Sequence, residues 1–300
     1  MSEVDSSKRT ERRPAEAIRS PRLRLRYSKL GKVRFTSHRD VARIWERALR
    51  RSGIRVAWSS GFSPHPLLAF GLALPTGCES LGEYVDVRLE RTPEELFDGI
   101  DSAHPGGIAG RSSRVDPGDD LISPGPQGLR ELLRGLSAFL PDGIDVQAAA
   151  LCADGTGSLQ EEVTSCSWEM EVREVSEEQL AERVDRLLGA SRVFVTRERK
   201  GIERFDDIRP QVLDLLCSTG PGVYAGSSSS PRARLFVETA TRPRGLRPME
   251  LIKGLGDDLV LSRACRTNQW IDRLGTRSEP LDAASVAPVP LATRTKECVS

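Results

Sequence analysis

Two of the three histidines stand at positions where an imidazole ring could do chemistry. His38 follows Ser37 at the start of a predicted helix, where the helix dipole favours a neutral ring or an anion bound beside it. His65 lies in the turn 61–66, which two prolines and a glycine make rigid. A neutral imidazole can act as general acid or base, or can bind a phosphate. The alternative is that both rings only satisfy local backbone groups, and their spacing does not show that they meet.

The basic residues are concentrated near the N-terminus, although the whole chain carries a net charge of only +1. The stretch 22–55 has twelve lysines and arginines against two acidic residues, so it carries +10 and leaves −9 for the rest. A clustered excess is typical of a protein with a polyanionic partner, whereas a solvated basic face is the alternative. The candidate nucleic-acid-binding residues form two rows, which are Arg22, Arg24, Arg26, Arg39, Arg43, Arg47 and Arg50.

A strand and a helix position these two rows. The alternation of apolar and basic residues over 22–27 predicts a half-buried strand with a basic outer face. Ser37 as N-cap and Asp40 three residues later fit a capping box, and Gly53 fits the end of the helix. We therefore expect the second row to lie on a well-defined helix between these capping residues.

The arginines of this helix are predicted to lie opposite its apolar face. Arg39, Arg43 and Arg50 are spaced by four and seven residues, so they project from one side. Side chains arranged in this way can follow a phosphate backbone. Three nearby aromatic residues could stack on bases or belong to the core, and these are Phe35, Trp58 and Phe62.

The periodicity of the whole chain predicts an α+β fold. Each half reads as strand, helix, strand, strand, helix, strand, which is the order of the split βαβ motif. The prediction is two tandem ferredoxin-like modules at 21–151 and 152–275, with disordered tails at 1–20 and 276–300. The Gly-, Pro- and Ser-rich segment 101–128 is predicted to be a flexible insertion in the first module.

Three further elements are predicted in the second half. A strand is predicted at 192–196, a short helix between Pro210 and the Gly/Ser-rich segment 219–230, and a last short strand at 259–261.

Several classes of protein lack support in the sequence. The six cysteines are widely spaced and form no CxxC pair, so we expect neither a disulfide framework nor a metal site. A phosphate-binding loop or dinucleotide fingerprint is missing, and no cofactor is expected. No run of about eighteen apolar residues exists, so no membrane span is expected. A polar N-terminus without a secretory pattern favours a cytoplasmic location.

Several motifs, in order along the chain, resemble the radical-SAM-linked protein family, a bacterial domain of unknown function. They are the stretch 29–40, the helix end 46–53, the turn 61–66, the segment 74–86, and shorter motifs at 200–210 and 246–251. The resemblance covers about 21–273. Family-motif residues in the first part of the chain are Ser37, Asp40, Gly61, Phe62, Ser63, Pro64 and Pro66.

The resemblance implies a partner rather than a reaction. Domains of this family are fused to, or encoded beside, cobalamin-binding radical-SAM proteins. The chain lacks the CxxxCxxC motif that holds the iron–sulfur cluster, so the radical-SAM enzyme would be a separate partner. It departs from the family in having Arg39, where leucine is more usual, and in the long segment 101–128.

Three functional hypotheses follow. The first is a radical-SAM-associated accessory protein that binds RNA, either tRNA or rRNA, for modification by a partner enzyme. The second is a metal-independent RNA-processing enzyme that uses His38 and His65 as acid and base. The third is a protein-only adaptor for a radical-SAM enzyme, whose acidic surface would meet the basic face.

Overall fold

The computed structural model describes residues 20–90, 133–153, 155–199, 201–218 and 233–281. Within them the protein is a mixed α/β structure with a large sheet and few helices. The strands are β1 (Arg22–Lys29), β2 (Leu68–Phe70), β3 (Glu79–Arg88), β4 (Ile144–Leu151), β5 (Ser165–Arg173), β6 (Phe194–Arg199), β7 (Ile202–Asp207), β8 (Val212–Ser218), β9 (Ala233–Ala240), β10 (Val260–Arg273) and β11 (Thr276–Ser278). The helices are α1 (His38–Ser52), α2 (Leu159–Glu162), α3 (Glu177–Gly189) and α4 (Pro248–Leu255).

Strands from both halves of the chain belong to one sheet. Its order is β4-β1-β3-β10-β5-β9-β8, with β2 paired to β3 and β11 paired to β10. The halves join where β3 and β10 run parallel, with Glu79 opposite Cys265. Strands β6 and β7 form a separate two-stranded ribbon. Because the sheet is continuous, two independent tandem modules are not confirmed.

Helix α1 forms as its sequence predicts and packs on the first half of the sheet. The Ser37 side chain accepts a hydrogen bond from the Asp40 backbone N–H at 3.2 Å, and Gly53 ends the helix in the left-handed conformation at φ 75°. Trp45 and Leu49 are buried in the same cluster as Leu25 of β1. Burial of this face leaves the arginine face of α1 outward.

The second half contains three corrections to the predicted elements. The strand expected at 192–196 forms from Phe194 onward as ribbon strand β6, which lies outside the large sheet. The residues expected to form a short helix after Pro210 instead form edge strand β8. The final short strand expected at 259–261 is the start of the 14-residue strand β10.

The predicted C-terminal tail does not begin at residue 276. Strand β11 pairs with β10, the carboxylate of Glu279 binds two side chains of the sheet, and Leu281 is buried. The tail beyond residue 281, the tail 1–19 and the insertion 101–128 lie outside the described residues.

Candidate nucleic-acid interface

The arginines of α1 are exposed and have few intramolecular partners. Arg39, Arg43, Arg47 and Arg50 all face solvent. Of these four, only Arg43 forms an ion pair with a described residue, and its partner is Asp40 on the same helix at 3.5 Å. The Nε–H of Arg47 donates to the carbonyl oxygen of Arg43. The helix therefore presents a row of positive charge that the described part of the protein leaves largely uncompensated.

Exposed aromatic rings lie at both ends of this arginine row. Phe35, before the helix, is 62% exposed, and Phe62 in the turn 61–66 is completely exposed. Trp58 is 39% exposed, and the Arg50 guanidinium lies over its ring at 4.6 Å from the centroid. All three of these aromatics are therefore on the surface, where bases can reach them.

Phe62 is carried by a loop that hydrogen bonds hold closed. The Ser59 N–H donates to the His65 carbonyl oxygen at 2.9 Å, and the His65 N–H donates to Ser59 Oγ at 3.1 Å. A further hydrogen bond of 2.9 Å joins Ser59 Oγ to His65 Nδ1, and Trp58 pairs with Pro66 as an isolated bridge. In this structure His65 closes the loop, and Phe62 lies exposed between the two closing residues.

His38 occupies a different place from His65. Its ring is exposed at the start of α1 and packs edge-on against Phe70, with centroids 5.2 Å apart. His38 contacts Phe70, and His65 contacts Ser59. No hydrogen bond or ring contact between these two described histidines is present. The acid–base pair therefore stays a prediction.

The outer face of β1 is not the exposed basic row that the sequence predicts. Arg24 is 2% exposed and binds Asp86 through two hydrogen bonds of 2.8 and 3.0 Å. Arg26 binds Glu279 at 2.7 Å, and Arg22 lies 3.6 Å from Asp86. The prediction was wrong because the chain around α2 and the segment after β11 cover this face and supply carbonyl and carboxylate acceptors.

A small pocket lies beside the start of α1. It has a volume of about 20 Å³ and is lined by residues of β1, α1, β3 and the segment 70–74, including Lys29, His38 and Glu83. Lys29 is 3% exposed, and burial lowers the pKa of its ammonium group. Lys29 continues the alternation of Leu23, Leu25 and Tyr27, and this period of two is the sequence signal that could have indicated its inward position.

Buried ion pairs connect this pocket to the second half. The Arg266 guanidinium donates to both carboxylate oxygens of Glu83, at 2.6 and 2.8 Å from Nη2. Glu79 binds Arg263, lies 3.5 Å from Arg34, and accepts a hydrogen bond from the Gly31 N–H at 2.6 Å. These contacts fix the turn Gly31–Phe35, which carries Phe35, against the sheet.

Cys78 lies near this network and is buried. Burial is the largest effect on the group and raises the pKa of Cys78 to about 11, so the thiol is protonated at neutral pH. In the described parts of the chain, no group of three or more His, Cys, Asp or Glu side chains is arranged to hold a metal ion. None of the described helices has the length and apolar character needed to cross a membrane.

The described residues thus form an α/β protein with one large sheet, and the surface at and around its first helix has exposed arginines and aromatic rings. The chain belongs to the bacterial family described as "Uncharacterized protein conserved in bacteria (DUF2344)", whose model matches residues 22–117 and 125–243. No curated protein matches it. Among solved structures, it is similar to a chain of a Cbf5-Nop10-Gar1 complex, with 10% identity and a TM-score of 0.39. That similarity covers 86% of this chain and 51%, about half, of the other.

Proposed function

We propose that the protein is an RNA-binding accessory protein, and that the α1 surface binds the RNA. The observation that carries the proposal is the contrast between exposed and buried arginines. Arg24 and Arg266 are buried and bound to carboxylates, whereas Arg39 and Arg50 are exposed without an acidic partner among the described residues. Exposed arginines that form no ion pair within the protein can bind the phosphate groups of a nucleic acid.

The aromatic residues favour RNA with unpaired bases as the ligand. Single-stranded recognition combines a basic track for phosphates with rings on which bases stack. Here Phe35 lies at one end of the arginine row, and Trp58 and Phe62 lie near the other. The proposed ligand is therefore a loop or single-stranded segment of a tRNA or rRNA.

The test is fluorescence anisotropy with labelled tRNA over a salt series. We expect the triple variant Arg39→Gln, Arg43→Gln, Arg50→Gln to bind at least tenfold more weakly at low salt. Its log–log salt slope should fall by about 2, since each phosphate contact to a single strand contributes about 0.7. The matched control replaces three other exposed arginines in the second half by Gln, at Arg173, Arg186 and Arg192.

The control separates a located interface from general charge attraction. Both triple variants change the net charge by the same amount, but the control should keep the affinity and salt slope of the natural protein. Equal losses in both variants would contradict the proposed surface. Absence of binding at low salt would overturn the proposed function itself.

The proposed partner enzyme is a radical-SAM protein that modifies the bound RNA. This part rests on the resemblance of the motifs at 29–40, 61–66 and 74–86 to the radical-SAM-linked family. Affinity purification of the tagged protein, with and without ribonuclease, tests it. We expect recovery of the enzyme to fall after ribonuclease, whereas unchanged recovery would favour the protein-only adaptor.

We also propose that the architecture is two ferredoxin-like modules joined edge to edge. Within the first half the sheet order is β4-β1-β3-β2, and within the second it is β10-β5-β9-β8. When the four strands of each half are numbered one to four along the chain, both halves have the sheet order 4-1-3-2. That arrangement supports a split βαβ topology in each half.

A further inference from the structure

The pocket beside α1 holds a buried cation that forms no direct ion pair with a described carboxylate. The Lys29 Nζ donates to the Thr36 carbonyl oxygen at 3.0 Å and lies 3.5 Å from that of Arg34. An ammonium group has three N–H donors, so these two carbonyls leave at least one donor without a partner in the described residues. Burying a lysine in this way is costly unless an anion neutralises it.

The carboxylate in the same pocket is shared between two cations. Glu83 attracts Lys29 electrostatically, but Arg266 already binds both of its oxygens. Among the described residues, no carboxylate forms an ion pair with Lys29. Lys29 and Arg266 thus bring two positive charges to the single carboxylate of Glu83, which leaves this buried group with a net charge of +1.

We propose that this pocket is a phosphate site, in which Lys29 and His38 bind oxygen atoms of a phosphate group. Its volume of about 20 Å³ has room for about one water-sized group. An oxygen of a phosphate fits that space, whereas a nucleobase does not.

The position of the pocket relates it to the RNA surface, and this part rests on the proposed function. His38 immediately precedes Arg39, the first arginine of the exposed row. Lys29 binds the carbonyl of Thr36, the residue after Phe35. A strand of RNA on the α1 surface would thus bring a phosphate to the mouth of the pocket.

Inorganic phosphate is the probe, and the thermal unfolding midpoint of the whole protein is the readout. We expect phosphate to raise the midpoint of the natural protein, because a ligand that binds only the folded state stabilises it. Lys29→Met should weaken phosphate binding about tenfold or more, and so remove most of this rise. The control Lys32→Met removes an exposed lysine outside the pocket and should keep the rise.

The stability of Lys29→Met without phosphate is the second criterion. An anion site predicts a variant at least as stable as the natural protein, because the surplus buried positive charge is gone. A less stable variant that keeps the full phosphate response would overturn the proposal, since Lys29 would then be structural and the phosphate an adventitious ion only.

A measurement on the natural protein covers the case in which Lys29→Met does not fold. Carbon-13 NMR of the lysine ε positions follows the titration of Lys29 directly. Bound phosphate should raise the pKa of Lys29, and an unchanged pKa at saturating phosphate would overturn the proposal.

Free phosphate also separates this proposal from the RNA proposal. The Arg39, Arg43, Arg50 triple variant should lose RNA affinity but keep the phosphate response. A phosphate response without any RNA binding would leave the anion site standing and remove the proposed function. Short RNAs with a 5′-phosphate or a 5′-hydroxyl distinguish a terminal phosphate from a backbone phosphate as the natural ligand.

Discussion

Strand β1 and helix α1 carry arginines at similar density, but the two sets have opposite surroundings. On β1, Arg24 is 2% exposed and bound to Asp86, and Arg26 is bound to Glu279. On α1, Arg39 and Arg50 are exposed, and neither has an acidic partner among the described residues. The first set stabilises the sheet, whereas the second is available to a ligand.

This difference shows what a local pattern can and cannot predict. Alternation over 22–27 shows correctly that the arginines lie opposite the apolar side of β1. It does not show whether solvent or another chain segment covers that opposite side. Here the cover comes from residues more than 130 positions away, including the carbonyl of Gly157 and the carboxylate of Glu279.

The largest effect should come from Asp86→Ala, which leaves Arg24 buried without its carboxylate. We expect the free energy of unfolding in urea to fall by about 3 kcal/mol or more. The double variant Arg24→Met, Asp86→Leu should recover most of that loss, because it removes both charges. A loss below about 1 kcal/mol for Asp86→Ala would show that the Arg24–Asp86 pair behaves as a surface pair.

Removing the ring of Phe62 should be the next largest effect, and it concerns binding alone. Stacking of a base on an aromatic ring is worth about 1–3 kcal/mol, so Phe62→Ala should weaken RNA binding about tenfold. Its stability should not change, because the ring is completely exposed. Phe194→Ala, which removes an exposed ring of the β6–β7 ribbon, is the control and should bind RNA normally.

A smaller effect should distinguish one arginine of each set. Arg39→Gln should reduce the salt slope of RNA binding by about 0.7 without changing stability. Arg26→Gln removes the ion pair with Glu279, so it should lower stability by up to about 1 kcal/mol and leave RNA binding unchanged. A loss of RNA affinity in Arg26→Gln would contradict the assignment of the β1 arginines to stability and the α1 arginines to binding.

The smallest effect concerns Asp40, which among the described residues is the one carboxylate paired with the exposed row. The Ser37 hydroxyl and, less strongly, the Arg43 charge hold the pKa of Asp40 below its usual value. The stabilisation is therefore present above the unfolded pKa of about 3.9 and is lost as the pH falls through the lowered folded value. Carbon-13 NMR should show this lowered pKa, and Arg43→Gln should raise it slightly, whereas Ser37→Ala should raise it more.

Much of the first half could be predicted because its local signals agree with one another. Helix α1 has a cap, an apolar face and a terminal glycine, and the structure contains each of them. Strand β8 was missed because Val212 and Leu215 are buried three residues apart, a spacing that also fits a helix. Most of β10 was missed because its buried positions include Arg266 and Gln269, which carry no apolar period.

The candidate site shows the same limit. The exposed arginines of α1 were predictable because a helix repeats every 3.6 residues and its apolar face is clear. The sequence does not decide whether Phe35, Trp58 and Phe62 are exposed, because a ring near a strand or turn fits either surface or core. The sharing of Glu83 between Lys29 and Arg266 was not predictable, because Arg266 binds Glu83 from 183 residues away.

The parallel pairing of β3 with β10 has a consequence for synthesis of the chain. Near Glu79 and Ser80, the edge of β3 pairs only with residues around Cys265 and Arg266, whereas β2 protects the later part of β3. A ribosome makes this edge long before it makes the strand that pairs with it. The nascent first half thus exposes unpaired backbone and the Glu83 carboxylate, so chaperone contact or aggregation should concentrate there until β10 emerges.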